Sequence, residues 1–385
     1  MSSSTARLDE VCSFINGGTP SKNQPEYYGG EIPWITGADI VDGRIAPARS
    51  FITDLGLSRS AANLARPGNL LLVTRTSVGK VAVATEDISF SQDITALVVD
   101  RESADVGYLK HFLRSSAEGL AAMARGATIK GVTRENVASL RLPLPPLPEQ
   151  RRIAAILDHA DTLRAKRKCV VGRIDELLLS EFVSRFGMPT TNPKRLPSEP
   201  IGKLGTVTTG NTPPRAQTAL YGDDIEWIKS DNIDPETPFL RRASEGLSAA
   251  GMARSRIAAR RSLLVTCIAG SPNSIGNVAI ADRDVSFNQQ ITAFTPFELP
   301  TEFWYYQMRV AKRLIQDAST GGMKGLVSKS AFSEITLLVP SVDACEEYAG
   351  FVKRVWGLRM RSVRAADAST ELFSSLQYAS FRGEL

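Results

Sequence analysis

Histidine and cysteine are scarce in this chain: its 385 residues include two His and four Cys. Cys12, Cys169, Cys267 and Cys345 stand far apart and form no Cys-x-x-Cys pair. That spacing excludes a zinc knuckle and a thioredoxin-like motif, and it fits a reducing, cytoplasmic setting. His111 and His159 fall in separate predicted helices, so neither a Ser–His–Asp set nor a metal cluster can be assembled around them. No apolar run approaches the ~20 residues that span a bilayer, and residues 1–10, MSSSTARLDE, lack the apolar core of a signal peptide. A Gly-x-x-x-x-Gly-Lys-Ser/Thr loop is absent, as are a glycine-rich cofactor loop and the Asn/Asp-Pro-Pro-Tyr/Phe motif of adenine methyltransferases. No catalytic residue, metal or cofactor is therefore expected in this chain.

What is present is ordinary globular material with a basic balance. Hydrophobic residues make up 43% and the formal charge is +5. The length suggests about two to three domains, and the charge suits a phosphate-bearing partner without proving one. Basic residues cluster: Arg241, Arg242, Arg254, Arg256, Arg260 and Arg261 are interrupted by one acid, Glu245. Lys353, Arg354, Arg359, Arg361 and Arg364 follow one another with none. Solvated faces explain such runs as well as binding does.

The chain contains one plan twice. GGTPSKNQPEYYGGEIPWITGADI (17–40) aligns without a gap on GNTPPRAQTALYGDDIEWIKSDNI (210–233), pairing Tyr28 with Tyr221 and Trp34 with Trp227. VAVATEDISFSQDITA (81–96) then faces VAIADRDVSFNQQITA (278–293), and Lys130–Gly131 faces Lys324–Gly325. The offset grows from 193 to 197 between the first two blocks, so the second copy carries an insertion in the loop CIAGSPNSIGN, against RTSVGK. Three matching blocks in one order indicate duplication.

Each copy has two parts. The first holds short β-branched runs, such as LLLVT (70–74) and LLVT (263–266), punctuated by Gly, Pro, Asn and Asp. A helix is predicted near Tyr108–Arg125 and again near Glu302–Asp317. The second part is a long helix: Glu149–Phe186 contains no Pro and a single Gly, Gly172. The expected fold is α+β, with two tandemly repeated α/β domains, each followed by a long helix. The expected boundaries are 1–145 and 191–340 for the domains, and 146–190 and 341–385 for the helices.

Apolar residues recur at heptad spacing in both helices. Ile153, Ile156, Ala160, Leu163, Val170, Ile174 and Leu177 form one stripe, with Arg167 and Glu181 as misfits; Tyr348, Phe351, Val355, Leu358, Ala365, Leu372 and Leu376 form the other. Two stripes of equal length and phase predict an antiparallel coiled coil with pseudo-two-fold symmetry. A helix of this size is about 57 Å long. Major-groove faces repeat along one side of B-DNA every ~34–36 Å, so such a rod suits two readers of a split target.

Polar residues beyond the matched tryptophans and in the matched loops are the candidate DNA contacts, since these types reach base edges or phosphates. They are Ser21, Lys22, Thr36, Asp39, Arg75, Ser77, Lys80 and Lys130 in the first copy. In the second they are Arg215, Lys229, Asp231, Asn232, Ser271, Asn273, Ser274 and Lys324. Surface turns account for them almost as well. Trp34 and Trp227 are expected to be core aromatics of a strand.

The run at 17–40, then LPLPPLPEQRRIAAIL (142–157), LSEFVSRFG (179–187) and the final SFRGEL (380–385), resembles the specificity subunit of type I restriction–modification systems. The resemblance covers essentially the whole chain, in the order recognition domain, helix, recognition domain, helix. VPSVDACEEY (339–348) departs from it where PLPEQRRI would stand. By itself the LPPLPEQ segment reads as a stiff hinge opening a helix with an acid in its first turn. The resemblance implies that it helps dock a methyltransferase subunit.

The resemblance further implies a non-catalytic prokaryotic, cytoplasmic subunit that reads a bipartite asymmetric duplex target. Its partners would be double-stranded DNA, two methyltransferase subunits holding S-adenosylmethionine, and a restriction subunit holding ATP and Mg. No membrane is implied. The competing expectations are a self-contained DNA-acting enzyme, such as a nuclease with an unfamiliar site, and a coiled-coil scaffold with no base specificity.

Overall fold

The computed structural model of the chain describes residues 5–126, 130–320 and 325–385. Six helices orient the description: α1 (Val106–Ser115), α2 (Ala117–Met123), α3 (Leu147–Phe186), α4 (Thr301–Val310), α5 (Lys312–Asp317) and α6 (Val342–Ser380). The chain divides into two units: residues 1–168 with 364–385, and residues 169–363. Each unit therefore takes one half of α3 and one half of α6. Among the described residues no helix is long and apolar enough to cross a membrane.

In unit 1 a four-stranded antiparallel sheet runs in the order Cys12–Asn16, Ile94–Val99, Leu70–Val73, Val81–Val83. A second sheet runs Ser50–Ile52, Tyr28–Ile35, Ile88–Phe90, Leu64–Ala65, and its central pair is parallel. The central strand of the first sheet explains why Leu70–Val73 is buried at every position. Successive side chains point to opposite faces. Leu70 and Leu72 join a core with Tyr108, Leu109 and Phe112 of α1 and Leu157 of α3, while Leu71 and Val73 join a core with Ile35, Ile88 and Phe90 of the second sheet. The result is three layers: helices, sheet, sheet.

Unit 2 repeats this topology strand for strand. Its first sheet runs Gly205–Thr209, Ile291–Pro296, Leu263–Thr266, Val278–Ile280; its second runs Gly246–Leu247, Tyr221–Ile228, Val285–Phe287, Ile257–Ala258. The irregularity between Tyr28 and Ile32 recurs between Tyr221 and Ile225. Leu263 and Val265 face the helices, and Leu264 faces the second sheet. The register places Val73 against Ile94 and Thr266 against Ile291, so Thr266 is the counterpart of Val73, and Cys267 that of Thr74.

The helices predicted at Tyr108–Arg125 and Glu302–Asp317 are each split in two. α1 ends at Ser116, whose Oγ and N–H both donate to the Phe112 carbonyl at 3.0 Å. α4 ends at Ala311.

α3 and α6 run antiparallel and pack on each other in both units. In unit 1 Arg152 donates to the Leu385 carbonyl at 3.1 Å and Arg167 to the Ala365 carbonyl at 2.9 Å. In unit 2 the Tyr348 hydroxyl donates to the Leu178 carbonyl at 2.9 Å. Phe182, Phe186, Phe303 and Tyr348 stack there with centroids 5.1–5.6 Å apart, each burial contributing roughly 1.5–3 kcal/mol.

The predicted seam is only partly the buried one. Ile153, Tyr348 and Val355 are buried, and Ile156, Ala160, Ile174, Phe351, Ala365 and Leu376 are half-buried. Leu163, Val170, Leu177, Leu358 and Leu372 are exposed. Next to Leu177 (49% exposed) Leu178 is fully buried, and next to Leu372 (54%) Phe373 is 3% exposed. The reason is that each helix half packs on its own domain as well as on the other helix. Leu178, Phe182 and Phe186 form an i, i+4, i+8 row facing the domain core, a face that a 3.5-residue coiled-coil seam does not pick out.

Candidate nucleic-acid interface

In each unit the repeated residues build a platform of loops at the ends of the central strands. The Gly-x-Thr-Pro loop needs glycine at its first position: a Cβ on Gly17 would lie 2.0 Å from the Ser91 carbonyl oxygen, and one on Gly210 2.2 Å from that of Asn288. The Tyr28 hydroxyl donates to the Pro20 carbonyl at 2.6 Å, and Tyr221 to Pro213 at 2.7 Å. The Trp34 indole N–H donates to the Gly18 carbonyl at 3.0 Å, and Trp227 to Asn211 at 3.3 Å. Trp227 is buried as expected of a core aromatic, whereas Trp34 is only half-buried; both tie this loop down. Thr19 bonds Gln92, and Thr212 bonds Gln289.

In unit 1 the loops 17–20, 36–39, 74–80 and 91–93 meet Arg125 and residues 130–131. Ser91 N–H donates to Ile35 O at 2.8 Å, Thr74 N–H to Asp93 O at 2.8 Å, and Thr76 N–H to Lys130 O at 3.0 Å. Gly131 bridges both Arg75 and Arg125. Arg75, Lys80, Arg125 and Lys130 are all exposed around this junction, as are Ser21 and Lys22 in the loop after Pro20. Ser77 is half-buried, its Oγ 3.7 Å from where a Cβ on Gly37 would stand. Arg75 and Lys130, far apart in sequence, are neighbours in the fold.

Asp39 is different from what was expected. It is buried, and its carboxylate is saturated. Oδ2 accepts from Thr36 N–H and Oγ1 at 2.9 Å, and Oδ1 accepts from Arg49 Nε at 2.9 Å and Nη2 at 2.6 Å. Burial opposes its ionisation, but the bonds from Thr36 and Arg49 outweigh it and hold its pKa below the ordinary value. Thr36 and Asp39 form a capping box that shapes the loop, leaving no free oxygen for a base.

Unit 2 repeats the box with other residues. Asn232 Oδ1 accepts from Lys229 N–H at 2.9 Å, and its amide donates to Arg242 O at 3.2 Å. Two expected DNA-facing cations are already engaged. Arg215 donates to Glu245 Oε2 at 2.7 Å and lies 4.8 Å from the Tyr221 ring and 4.9 Å from the Trp227 ring. Lys229 Nζ bonds the other Glu245 oxygen, 5.2 Å from the Trp227 centroid. The Lys229 and Arg215 bonds lower the pKa of Glu245. Asp231 is exposed.

The longer loop 267–277 stands on a short pairing of Ile268–Ala269 with Gly325–Leu326. Lys312 Nζ props it from α5, donating to Asn273 O and Asn277 Oδ1, both at 2.7 Å. Ser271 and Asn273 are exposed, Ser274 is half-buried, and Ile275 is buried. Lys324 lies outside the described residues.

Four participants were not picked out from sequence: Arg49, Asp93, Arg125 and Gln290. Gln290 occupies the position of Asp93, and its Oε1 accepts from Asn288 Nδ2 at 2.9 Å and Ser230 Oγ at 3.3 Å. Arg125, the last residue of a predicted helix, joins the platform by pairing with Gly131, which in turn pairs with Arg75. The repeat alignment itself carried a signal for the other pair, because Asp93 and Gln290 face each other between the matching Gln92/Gln289 and the matching Ile94-Thr95-Ala96/Ile291-Thr292-Ala293. Among the described residues no group of three or more His, Cys, Asp or Glu could hold a metal ion.

Comparison with known proteins bears on this platform. Residues 3–170 and 199–356 each match the family described as the type I restriction modification DNA specificity domain. The specificity subunit of the EcoR124I/EcoR124II type I restriction enzyme from Escherichia coli is 31% identical over 163 residues, 40% of this chain and 40% of that relative. The MjaIX specificity subunit from Methanocaldococcus jannaschii is 22% identical over 247 residues, 59% of this chain and 57% of the relative. The chain thus spans from two fifths to under three fifths of these relatives' lengths. The solved S subunit of a type I restriction–modification system from M. genitalium has the same fold, with TM-score 0.60 at 14% identity over 99% of this chain and 96% of that one. A chain from a structural study of complex assembly in the type I R-M system gives TM-score 0.57 at 18% identity, over 99% and 98%.

Proposed function

The chain belongs to the family of type I restriction modification DNA specificity domains, of which it carries two, and from that premise we propose that it is the DNA-reading, non-catalytic subunit of a type I restriction–modification complex. Each unit reads one half of a bipartite duplex target. The observation that carries this reading is a common frame with different side chains at equivalent positions of its loops. The two platforms share topology, Gly-x-Thr-Pro loop, tyrosine and tryptophan. Yet Arg75 stands where Ile268 does, and Asp93 where Gln290 does. A fold that needed these side chains for itself would have kept them alike; two different half-sites require them to differ.

Base methylation and ATP-driven cleavage belong to partner chains in this proposal: two methyltransferase subunits binding S-adenosylmethionine, and a restriction subunit using ATP and Mg. The exposed apolar residues of α3 and α6, Leu163 and Leu372 in unit 1 and Val170, Leu177 and Leu358 in unit 2, support helical partners for these surfaces. The setting is the cytoplasm of a prokaryotic cell.

The experiment is to co-express the chain with its cognate methyltransferase in cells free of other modification, and to map methylated bases across the chromosome. A split motif with two conserved halves is expected. Methylation without a split motif removes the two-reader proposal. Purified chain acting on DNA with Mg²⁺ or S-adenosylmethionine alone would favour the self-contained enzyme instead.

A further inference from the structure

Arg75 has a seat that its counterpart lacks. Its aliphatic stem lies over Gly131, where an added Cβ would stand 2.9 Å from Arg75 Cγ. Its guanidinium is exposed, and no acid within the described residues pairs with it. The next residue, Thr76, has φ +64, a left-handed conformation that β-branched residues avoid. The strain is held by Thr76 N–H donating to Lys130 O at 3.0 Å and Thr76 Oγ1 donating to Arg75 O at 2.5 Å.

None of this belongs to the shared frame. At the same register in unit 2 stand Ile268 and Ala269, with no positive φ, and the place over Gly325 is filled by Ile275, 2.3 Å from where its Cβ would be. Strain kept in one copy alone, beside an unpaired cation, points to a local task.

We infer that Arg75 is a specificity-determining residue that reads a guanine in the half-site of unit 1, with Gly131 and Thr76 as its positioning residues. A guanidinium fork matches the O6 and N7 acceptors of guanine, and no other base edge offers two acceptors in the major groove. Ile268 has no donor, so the equivalent contact is missing from the other half-site. The inference rests on the DNA-reading role proposed above.

The test uses the chain co-expressed with its cognate methyltransferase, read by methylation mapping and by binding of the purified complex to duplexes substituted one pair at a time. If wild type yields no split motif, the DNA-reading role itself fails. Given a split motif, R75K keeps the charge and removes the fork. It should lower discrimination at a single G·C pair of one half-site about ten- to hundredfold, leaving the other half-site intact. G131A should weaken the same pair by displacing the arginine with its charge intact. An unchanged motif, an effect at an A·T pair, or a loss spread evenly over all sequences, complete loss included, overturns the inference.

Discussion

Arg359 clasps Asp175 with two guanidinium nitrogens, Nε at 2.7 Å and Nη2 at 2.9 Å. The pair joins α6 to α3 within unit 2, and a further bond from Nη2 to the Glu236 carbonyl ties both helices to the sheet domain. Arg359 is 5% exposed, so its charge is stabilised by these partners rather than by water. It stands beside Leu358, the position at which heptad counting places the seam, and it turns that contact polar.

Arg359→Ala should therefore destabilise the protein by about 3 kcal/mol, because it strands a half-buried carboxylate. Asp175→Leu combined with Arg359→Met should cost much less than the two single changes added together. Urea titrations of the four proteins measure this coupling. Additive losses would show that the clasp has no energetic role.

Tyr28→Phe and Tyr221→Phe remove equivalent hydroxyls, each donating to a proline carbonyl in a Gly-x-Thr-Pro loop. Each should cost about 1 kcal/mol, and the two losses should agree because the frames are the same. The measurement is denaturant stability of each variant. A large effect in one copy alone would mean that only one loop depends on its tyrosine.

Much of this frame is legible in sequence. The duplication and the two long helices follow from matched blocks and periodicity, which are local or self-referential signals. Side-chain pairing is not. Asp39 and Arg49, or Lys229 and Glu245, become partners because strands bring together residues that no periodic pattern connects. Asp39 and Lys229 consequently read as available when they are engaged. The seam fails between Leu177 and Leu178 for a related reason. A heptad count assumes one neighbour, and each helix half here has two.

Thr76→Gly should stabilise unit 1, by about 1 kcal/mol at most. It relieves the left-handed strain at φ +64, and the greater freedom of glycine in the unfolded chain offsets part of the gain. A lower urea midpoint in the variant would mean that Thr76 is not strained.

His111 gives unit 1 an acid-side weakness. It is fully buried on α1, with Nε2 2.8 Å from Asp158 Oδ1, and Lys110, Arg114 and Asp161 lie close by. Burial lowers its pKa below the ordinary 6.5, although the Asp158 bond opposes this. The His111 bond, aided by Lys110, lowers Asp158 to about 2. Both folded values are depressed, so both contributions are present above the unfolded pKa and are lost as pH falls. The histidine contribution fades below about pH 6.5, and that of Asp158 between about 4 and 2. Stability should drop as pH falls below about 6.5, and His111→Gln should flatten that drop. An equal drop in both proteins would place the sensitivity elsewhere.

The two units should also separate chemistry from charge. Lys130 is exposed on the unit 1 platform and holds Thr76 through its backbone alone. Lys130→Ala should then weaken binding to every duplex alike and reduce the salt dependence by about one unit of slope. Ser271 and Asn273 stand exposed on the loop propped by Lys312 in unit 2. Ser271→Ala and Asn273→Ala should relax the half-site read by unit 2, each by roughly 1–3 kcal/mol of discrimination, without touching the half-site altered by R75K. Methylation mapping of the three variants reports both effects together. Because the copies share a frame and no reading residue, a change in either loop that rewrote both half-sites would break the two-reader model.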